Sequence, residues 1–343
     1  MSATKSVLKV AGVTVGVAAG VAGSAYVAQR ALVRSLRHRP DPDLGLLGPL
    51  EFDEARRLPS HDGGSLYAVV KNPDISKERL EAEVPTIVLS HGVTLSSRVW
   101  TKQFRTLPEA GVRTIAFDHR GHGESVVGDS GHTVQNLAWD VRTIVEGLDL
   151  HDAVLVGHSM GGVAVQAFAA MHPEVARSRV RGIVLLSSLA RTHLSGARRL
   201  HRAVQRASDR FELGALMNRP ELGTMLARVG FGRQPLASHV ELTREMLATC
   251  DAVTAREAIS ALLGLDLTSE LPKIDLPTLV VCGSADVIAP PSESRRIAEL
   301  IPGARLVMLE HAGHMIMLER TEELDVLLLD FMREVGARLP ART

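Results

Sequence analysis

The chain has 343 residues, of which 45% are hydrophobic and 23% are charged. This length suits one large domain with an insertion or two ordinary domains, with a core that needs no metal or disulfide to fold. The 39 basic and 39 acidic side chains balance, which excludes the strong positive charge expected of a nucleic-acid-binding protein. Two cysteines, Cys250 and Cys282, are too few for a disulfide scaffold.

The first forty residues differ in composition from the rest of the chain. They carry six basic side chains and no acidic one, whereas the remaining residues have an excess of six acidic groups. Residues 10–28 are 19 uncharged residues rich in Gly, Ala and Val, and a cluster of arginines follows them. A helix of this length just crosses the hydrocarbon core of a bilayer. We therefore predict an N-terminal apolar anchor with a basic flank over residues 1–40.

Because arginines favour the cytoplasmic side of a membrane, this anchor would place the globular part inside the cell. Glycines recur in the apolar stretch at a spacing that would let two such helices form a homodimer, at Gly12, Gly16 and Gly20. Two alternatives stay open. One is a signal peptide cleaved near residues 23–25, which would make the protein secreted, and the other is an apolar helix packed on the domain.

From residue 51 onward, short apolar runs alternate with helical patterns. The runs predict strands at 86–90, 113–117, 153–157, 182–186, 278–282 and 305–309. Because these strands are apolar on both faces, they belong in a mainly parallel sheet with helices on both sides. The helical patterns lie at 97–110, 133–149, 160–172, 292–300 and 321–336. With an opening antiparallel hairpin at 51–59 and 66–71, the pattern predicts an α/β protein with a doubly wound, mostly parallel eight-stranded sheet.

One long interval between predicted strands has helical patterns and no good strand. It runs for almost ninety residues between Ser188 and Pro277, which is too long for a simple crossover. We predict an inserted helical cap here. The predicted organisation is thus a linker at 41–50, a first core segment at 51–188, the cap at 189–276, a second core segment at 277–336 and a tail at 337–343.

A serine flanked by glycines follows the predicted strand at 153–157. The run is GHSMG at 157–161, and a predicted helix begins directly after its serine. G-x-S-x-G alone is weak evidence, but between a strand and a helix it predicts a nucleophile elbow, which exposes Ser159 above the sheet. The glycines permit the tight turn, and the helix N-terminus supplies positive potential.

Ser159 needs a base, because a neutral hydroxyl is a poor nucleophile. His314 lies just after the last predicted strand, and Asp286 lies just after the strand that ends at Cys282. The carboxyl ends of parallel strands meet at one sheet edge, so these side chains are expected to lie together. We predict that Ser159 attacks, that His314 accepts its proton and that Asp286 orients the imidazole.

A candidate oxyanion hole follows the predicted strand at 86–90. The backbone N–H groups of Val93 and Met160 are placed to stabilise a developing negative charge. The residues beside them are candidate substrate contacts, namely His91, Gly92 and His158.

No metal site is predicted for this chain. Histidines recur at His-x-x-His spacing within 119–122 and 311–314, but no set of carboxylates or cysteines completes a ligand pattern. We therefore expect a mechanism that uses neither a metal nor an organic cofactor.

From about residue 51 to 336 the chain resembles the α/β-hydrolase family, in particular its cap-bearing esterase and lipase branch. The resemblance rests on SHG at 90–92, DHRGHGES at 118–125, GHSMG at 157–161, GSAD at 283–286 and HAGH at 311–314. In some family members an acid after an earlier strand takes the place held here by Asp286, but the sequence offers no better candidate. A serine nucleophile disfavours dehalogenases and epoxide hydrolases, which use aspartate.

The resemblance implies a serine hydrolase that cleaves carboxylic esters, with lipid-derived esters as the expected substrates. A carboxylesterase or a monoacylglycerol-type lipase fits this description, acting through a Ser-His-Asp triad and an acyl-enzyme. The alternatives are C–C bond, lactone or cofactor-free perhydrolase and haloperoxidase chemistry at the same triad. A non-catalytic ligand-binding protein on the hydrolase scaffold is the alternative from a different functional class.

Overall fold

The computed structural model describes residues 33–36, 38–74, 84–192 and 213–339. Eight strands form one sheet: β1 (Glu54–Pro59), β2 (Ser65–Lys71), β3 (Thr86–Ser90), β4 (Arg113–Phe117), β5 (Ala153–His158), β6 (Val180–Leu186), β7 (Thr278–Gly283) and β8 (Arg305–Leu309). Their spatial order is β1-β2-β4-β3-β5-β6-β7-β8. The β1–β2 and β2–β4 pairs are antiparallel, and the other neighbours are parallel. The predicted eight-stranded, mostly parallel sheet is confirmed.

The helices of the core follow the strands in alternation. They are α1 (Gln103–Glu109), α2 (Val134–Gly147), α3 (Met160–Met171) and α4 (Pro173–Arg179) before the insertion. After it come α9 (Pro291–Leu300), α10 (Ile316–Glu319) and α11 (Thr321–Glu334). A short 3-10 helix at Ser97–Trp100 precedes α1. The sequence pattern did not separate this 3-10 turn from α1, and it did not predict α4 or α10.

The sheet is buried on both faces, as its apolar strands require. Every residue of β5 is buried. Leu155 packs in one hydrophobic cluster, while Val154 and Val156 pack in a second cluster. Alternate residues of a strand point to opposite faces, so the two clusters cover the two sides of the sheet. This burial fixes the strand register and therefore the place where each strand ends.

The predicted cap lies between β6 and β7. Its described part holds four helices and a 3-10 turn: α5 (Leu213–Met217), α6 (Pro220–Arg228), α7 (Ala237–Thr249), α8 (Ala252–Leu263) and Leu271–Lys273. Residues 193–212 of the predicted cap lie outside the described residues. An antiparallel bridge joins Arg191 to Asp266, so the two ends of the inserted region meet at its base.

The predicted linker at 41–50 packs against the cap. Asp41 accepts hydrogen bonds from the backbone N–H and the hydroxyl of Ser238, at 2.7 and 3.0 Å. Asp43 lies 2.6 Å from Nε2 of His239 and forms an ion pair with Lys102. Because Lys102 directly precedes α1, this segment connects the cap to the core.

The prediction of a membrane-anchored protein is contradicted. Within the part of the chain that the structure describes, no helix has the length and apolar character needed to cross a bilayer. Its longest helices, α2 and α11, have 14 residues each, whereas a span needs about 20. The prediction rested on the stretch at 10–28, including the glycines for a homodimer, and that stretch lies outside the described residues.

A buried ion-pair network holds the opening hairpin to the core. Arg120 donates two hydrogen bonds of 2.7 Å to Asp140 of α2 and one of 2.9 Å to Asp62, in the turn between β1 and β2. It also donates to the carbonyl of Gly131 at 2.8 Å. The side chains of Arg120, Asp62 and Asp140 are almost completely buried. Removing one partner would leave uncompensated buried charge.

We expect Arg120→Ala to lower the free energy of unfolding by about 3–5 kcal/mol, because two buried carboxylates would lose their cation. Arg56→Ala is the matched control, since Arg56 pairs with Glu54 on the exposed surface of β1, and we expect a loss below about 1 kcal/mol. Urea unfolding followed by circular dichroism measures both. Equal losses in the two variants would contradict the structural role of the network.

Candidate active site

Ser159 occupies a sharp turn between β5 and α3. Its backbone has φ 52° and ψ −115°, a conformation that costs a non-glycine residue about 1–3 kcal/mol. Its N–H donates to Leu186 of β6 at 2.9 Å, and its carbonyl accepts from the Ser188 hydroxyl at 3.0 Å. These bonds hold the strained turn in place.

The glycines around Ser159 are required by close backbone packing. A Cβ on Gly157 would overlap the carbonyl of Gly161, and a Cβ on Gly161 would overlap the carbonyl of Ser90 in β3. The absence of side chains here lets α3 begin directly against two strands. The N–H groups of its first turn have no partner within the helix and point toward the sheet edge.

His314 and Asp286 lie together at the carboxyl edge of the sheet. Asp286 follows β7, and its Oδ2 lies 2.8 Å from Nδ1 of His314, in the loop after β8. The other oxygen of Asp286 accepts the backbone N–H groups of Ile288 and Ala289, both at 2.9 Å. Both side chains are buried. Since Nδ1 donates to the carboxylate, Nε2 is the imidazole nitrogen that remains to accept a proton.

The loop after β3 lies directly beside the serine turn. A Cβ built on Gly92 would lie 3.2 Å from Cβ of Ser159 and 2.9 Å from Nδ1 of His158. The loop that contains Val93 therefore packs against the turn at Ser159, after which Met160 begins α3. The oxyanion role expected for the N–H groups of Val93 and Met160 stays a prediction.

His91 forms hydrogen bonds with the backbone of this loop and of the loop after β4. It is completely buried; its Nδ1 donates to the carbonyl of Gly92 at 2.7 Å, and its Nε2 accepts the N–H of His119 at 3.0 Å. Burial lowers the pKa of His91 to about 4, so the ring is neutral near pH 7. His91 was predicted as a substrate contact, but the structure places it beneath the loop, where it fixes the backbone.

His122 performs a related task that the sequence did not reveal. Its Nε2 accepts the N–H of Thr94 at 3.1 Å, and its Nδ1 lies 3.0 Å from the carbonyl of Arg120. Thr94 has φ 62°, so this bond holds a second strained residue. Burial, with the nearby His91, lowers the pKa of His122 to about 3. In the sequence, residues 118–125 served only as a motif of the family resemblance and as a histidine spacing without a complete metal-ligand pattern.

His158 supports the backbone of His314. It is completely buried, and its Nε2 donates to the carbonyl of His314 at 3.0 Å. The two rings pack with their centroids 4.6 Å apart. Burial and the proximity of His314 lower the pKa of His158 well below its ordinary value. The ring is therefore neutral and packs beneath His314. His158 was predicted as a substrate contact, but the structure buries it.

Exposed apolar side chains lie in the loops next to His314. Val287 and Ile288 follow Asp286 with exposures of 69% and 50%, and Val229 at the end of α6 is 53% exposed. A Cβ on Gly230 would lie 3.7 Å from the end of Ile288, which places the loop after α6 beside these residues. Within the described ranges, no group of three or more His, Cys, Asp or Glu side chains is arranged to hold a metal.

Comparison with known proteins identifies the family. A sequence profile described as the alpha/beta hydrolase fold matches residues 85–321. The chain belongs to the α/β-hydrolase family. A non-heme chloroperoxidase from Streptomyces lividans is 31% identical over 257 residues, which cover 72% of this chain and 91% of that protein. The family assignment identifies the chain as an enzyme of the α/β-hydrolase type.

Two solved structures share this fold. An enol-lactonase from Burkholderia xenovorans LB400 superimposes with a TM-score of 0.67 at 26% identity, covering 81% of this chain and all of that one. An esterase from Exiguobacterium antarcticum has a TM-score of 0.70 at 21% identity, covering 82% of this chain and all of that one. The fold is thus shared across enzymes whose names indicate different substrates.

The packing of the serine turn makes a prediction about Gly161. In Gly161→Ala the new methyl group would overlap the carbonyl of Ser90, and overpacking of this kind costs about 1–3 kcal/mol. We expect the reaction of Ser159 with a fluorophosphonate to slow at least about tenfold, because the turn must shift. Gly48→Ala is the control, since its methyl group would meet no atom within 4 Å. Equal labelling rates would contradict the need for this close contact.

Proposed function

We propose that this α/β-hydrolase cleaves carboxylic esters through Ser159, His314 and Asp286. The observation that carries the proposal is the 2.8 Å contact between Asp286 and His314, at the sheet edge where the strained turn holds Ser159. A buried, oriented imidazole beside a nucleophile elbow is the arrangement that activates a serine hydroxyl.

The reaction divides into two acyl transfers. In the first, the Ser159 oxygen attacks the ester carbonyl while Nε2 of His314 takes the hydroxyl proton, and Asp286 stabilises the imidazolium through Nδ1. The N–H groups of Val93 and Met160 stabilise the oxyanion. His314 then gives the proton to the departing alcohol, leaving an acyl-enzyme. Water, activated by the same imidazole, releases the acid and restores Ser159.

We further propose that the acyl group of the substrate is apolar, as in lipid-derived esters. The support comes from Val229, Val287 and Ile288, which leave apolar surface exposed beside the catalytic histidine. An apolar substrate chain that covers these side chains would gain about 25 cal/mol for each Å² of apolar surface removed from water.

The first experiment is hydrolysis of p-nitrophenyl esters of increasing acyl length by the full chain and by Ser159→Ala. We expect the substitution to abolish hydrolysis, whereas Ser178→Ala, which changes an exposed serine of α4, should leave activity unchanged. Asp286→Asn should reduce kcat by about 10⁴-fold, because the imidazole loses its orienting carboxylate. Residual hydrolysis by Ser159→Ala equal to that of the parent would refute the proposal.

A peroxide-dependent reaction is the second candidate. The similarity to a protein named as a non-heme chloroperoxidase favours it. In this reaction hydrogen peroxide would take the place of water, attack the acyl-enzyme and release a peracid. Peracid formation from acetate and peroxide, measured with and without Ser159→Ala, tests this chemistry. If p-nitrophenyl esters are not hydrolysed but Ser159 is still labelled by a fluorophosphonate, the reaction is lactone hydrolysis, C–C bond cleavage or the peroxide-dependent reaction. A failure to label folded protein would favour a non-catalytic binding protein.

A further inference from the structure

A second, partly buried carboxylate joins the loop that carries His314 to the cap. Glu319 ends α10, five residues after His314. Its Oε1 accepts the N–H of Gly313 at 2.9 Å, and its Oε2 accepts the N–H of Gly232 in the cap at 2.7 Å. One side chain therefore binds the peptide directly before the catalytic histidine and a loop of the insertion.

The two loops also contact each other through their backbones. The N–H groups of His314 and Met315 both donate to the carbonyl of Gly230, at 2.8 and 3.1 Å. A Cβ on Gly232 would overlap the carbonyl of His311, and a Cβ on Gly313 would overlap the N–H of Gly232. The loops fit together only because both positions lack side chains, so a small displacement of one loop moves the other.

Charges on both sides of the cap loop complete this contact. Arg228, at the end of α6, donates to the carbonyl of Phe231 at 2.8 Å and approaches that of Arg233 at 3.4 Å. Glu319 thus accepts a hydrogen bond from an N–H of the cap loop, while Arg228 donates hydrogen bonds to carbonyls of the same loop. Burial raises the pKa of Glu319, whereas its bonds from Gly232 and Gly313 and the nearby charge of Arg228 favour the ionised carboxylate.

We propose that Glu319 is a positioning residue. It holds the backbone of His314 so that the imidazole faces Ser159, and it fixes the position of the cap relative to the loop that carries His314. The inference rests on the proposed ester hydrolysis at Ser159. Asp286 orients the imidazole about Nδ1, but that bond does not fix the backbone from which the side chain extends. Glu319 fixes that backbone at Gly313, and it couples the position to the cap at Gly232.

The test compares Glu319→Gln with Glu323→Gln. Glutamine keeps the length of the side chain but turns one acceptor into an N–H donor that faces a backbone N–H, so one of the two bonds must be lost. Glu323 is the matched control, because it is exposed and lies 3.7 Å from Arg320 on the next helix. Ser159 labelling by a fluorophosphonate and ester hydrolysis are measured on the full chain.

We expect Glu319→Gln to slow labelling and to lower kcat by about 10- to 100-fold, because a sub-ångström misplacement of the base is costly to catalysis. The KM for a small acetyl ester should stay within about threefold, since the ester does not touch Glu319. Glu319→Asp retains both acceptors at shorter reach, and we expect a smaller loss of about three- to tenfold. Glu323→Gln should match the parent.

The outcomes separate this inference from the proposed function. If the parent hydrolyses no ester but Glu319→Gln is labelled more slowly than the parent, the positioning role is supported and the substrate is of a different class. Labelling at the parent rate, or an effect on KM alone, would overturn that role. If Glu319→Gln does not fold, Glu319→Asp decides, and loss of fold in both would make Glu319 a stability residue only. A parent that is never labelled would overturn both proposals.

Discussion

At the end of β5 the chain turns into α3 at a single residue, and Ser159 holds φ 52° to make that turn. The conformation persists because the glycines at 157 and 161 let β5, β3 and α3 approach without intervening side chains. The hydrogen bonds of Ser159 to β6 and Ser188 oppose its relaxation. Both the position of the serine and that of the first α3 N–H groups depend on this close packing. The surrounding loops are then arranged relative to this fixed point.

The histidines around the site act as neutral connections between backbone segments. His91 and His122 hold the loop after β3, and His158 holds the carbonyl of His314. Burial lowers the pKa of each ring, which keeps additional positive charge away from His314. A protonated neighbour would oppose formation of the His314 imidazolium on which the proposed proton transfer depends. Imidazole suits this role because one ring both donates and accepts a hydrogen bond.

The apolar runs in the sequence were sufficient to predict the strands of the sheet and the residues that follow their carboxyl ends. Ser159, Asp286 and His314 follow apolar runs at 153–157, 278–282 and 305–309, and parallel packing brings such ends together. The contacts of Glu319 could not be predicted in this way, because Gly232 lies 87 residues away and its N–H leaves no mark in the sequence. Asp43 and His239, 196 residues apart, present the same difficulty. Apolar character over 10–28 was likewise insufficient to establish a membrane location.

These long-range contacts have a physical consequence for an inserted cap. An insertion attached only at its ends, near Arg191 and Asp266, would be free to rotate relative to the loop that carries His314. Asp43, held by His239 in the cap and Lys102 in the core, opposes that rotation on one side. The contact of Glu319 with Gly232 and Gly313 opposes it beside His314. Because the second contact involves the peptide before His314, the proposed base, any force that a substrate exerts on this cap loop would act directly on the position of His314.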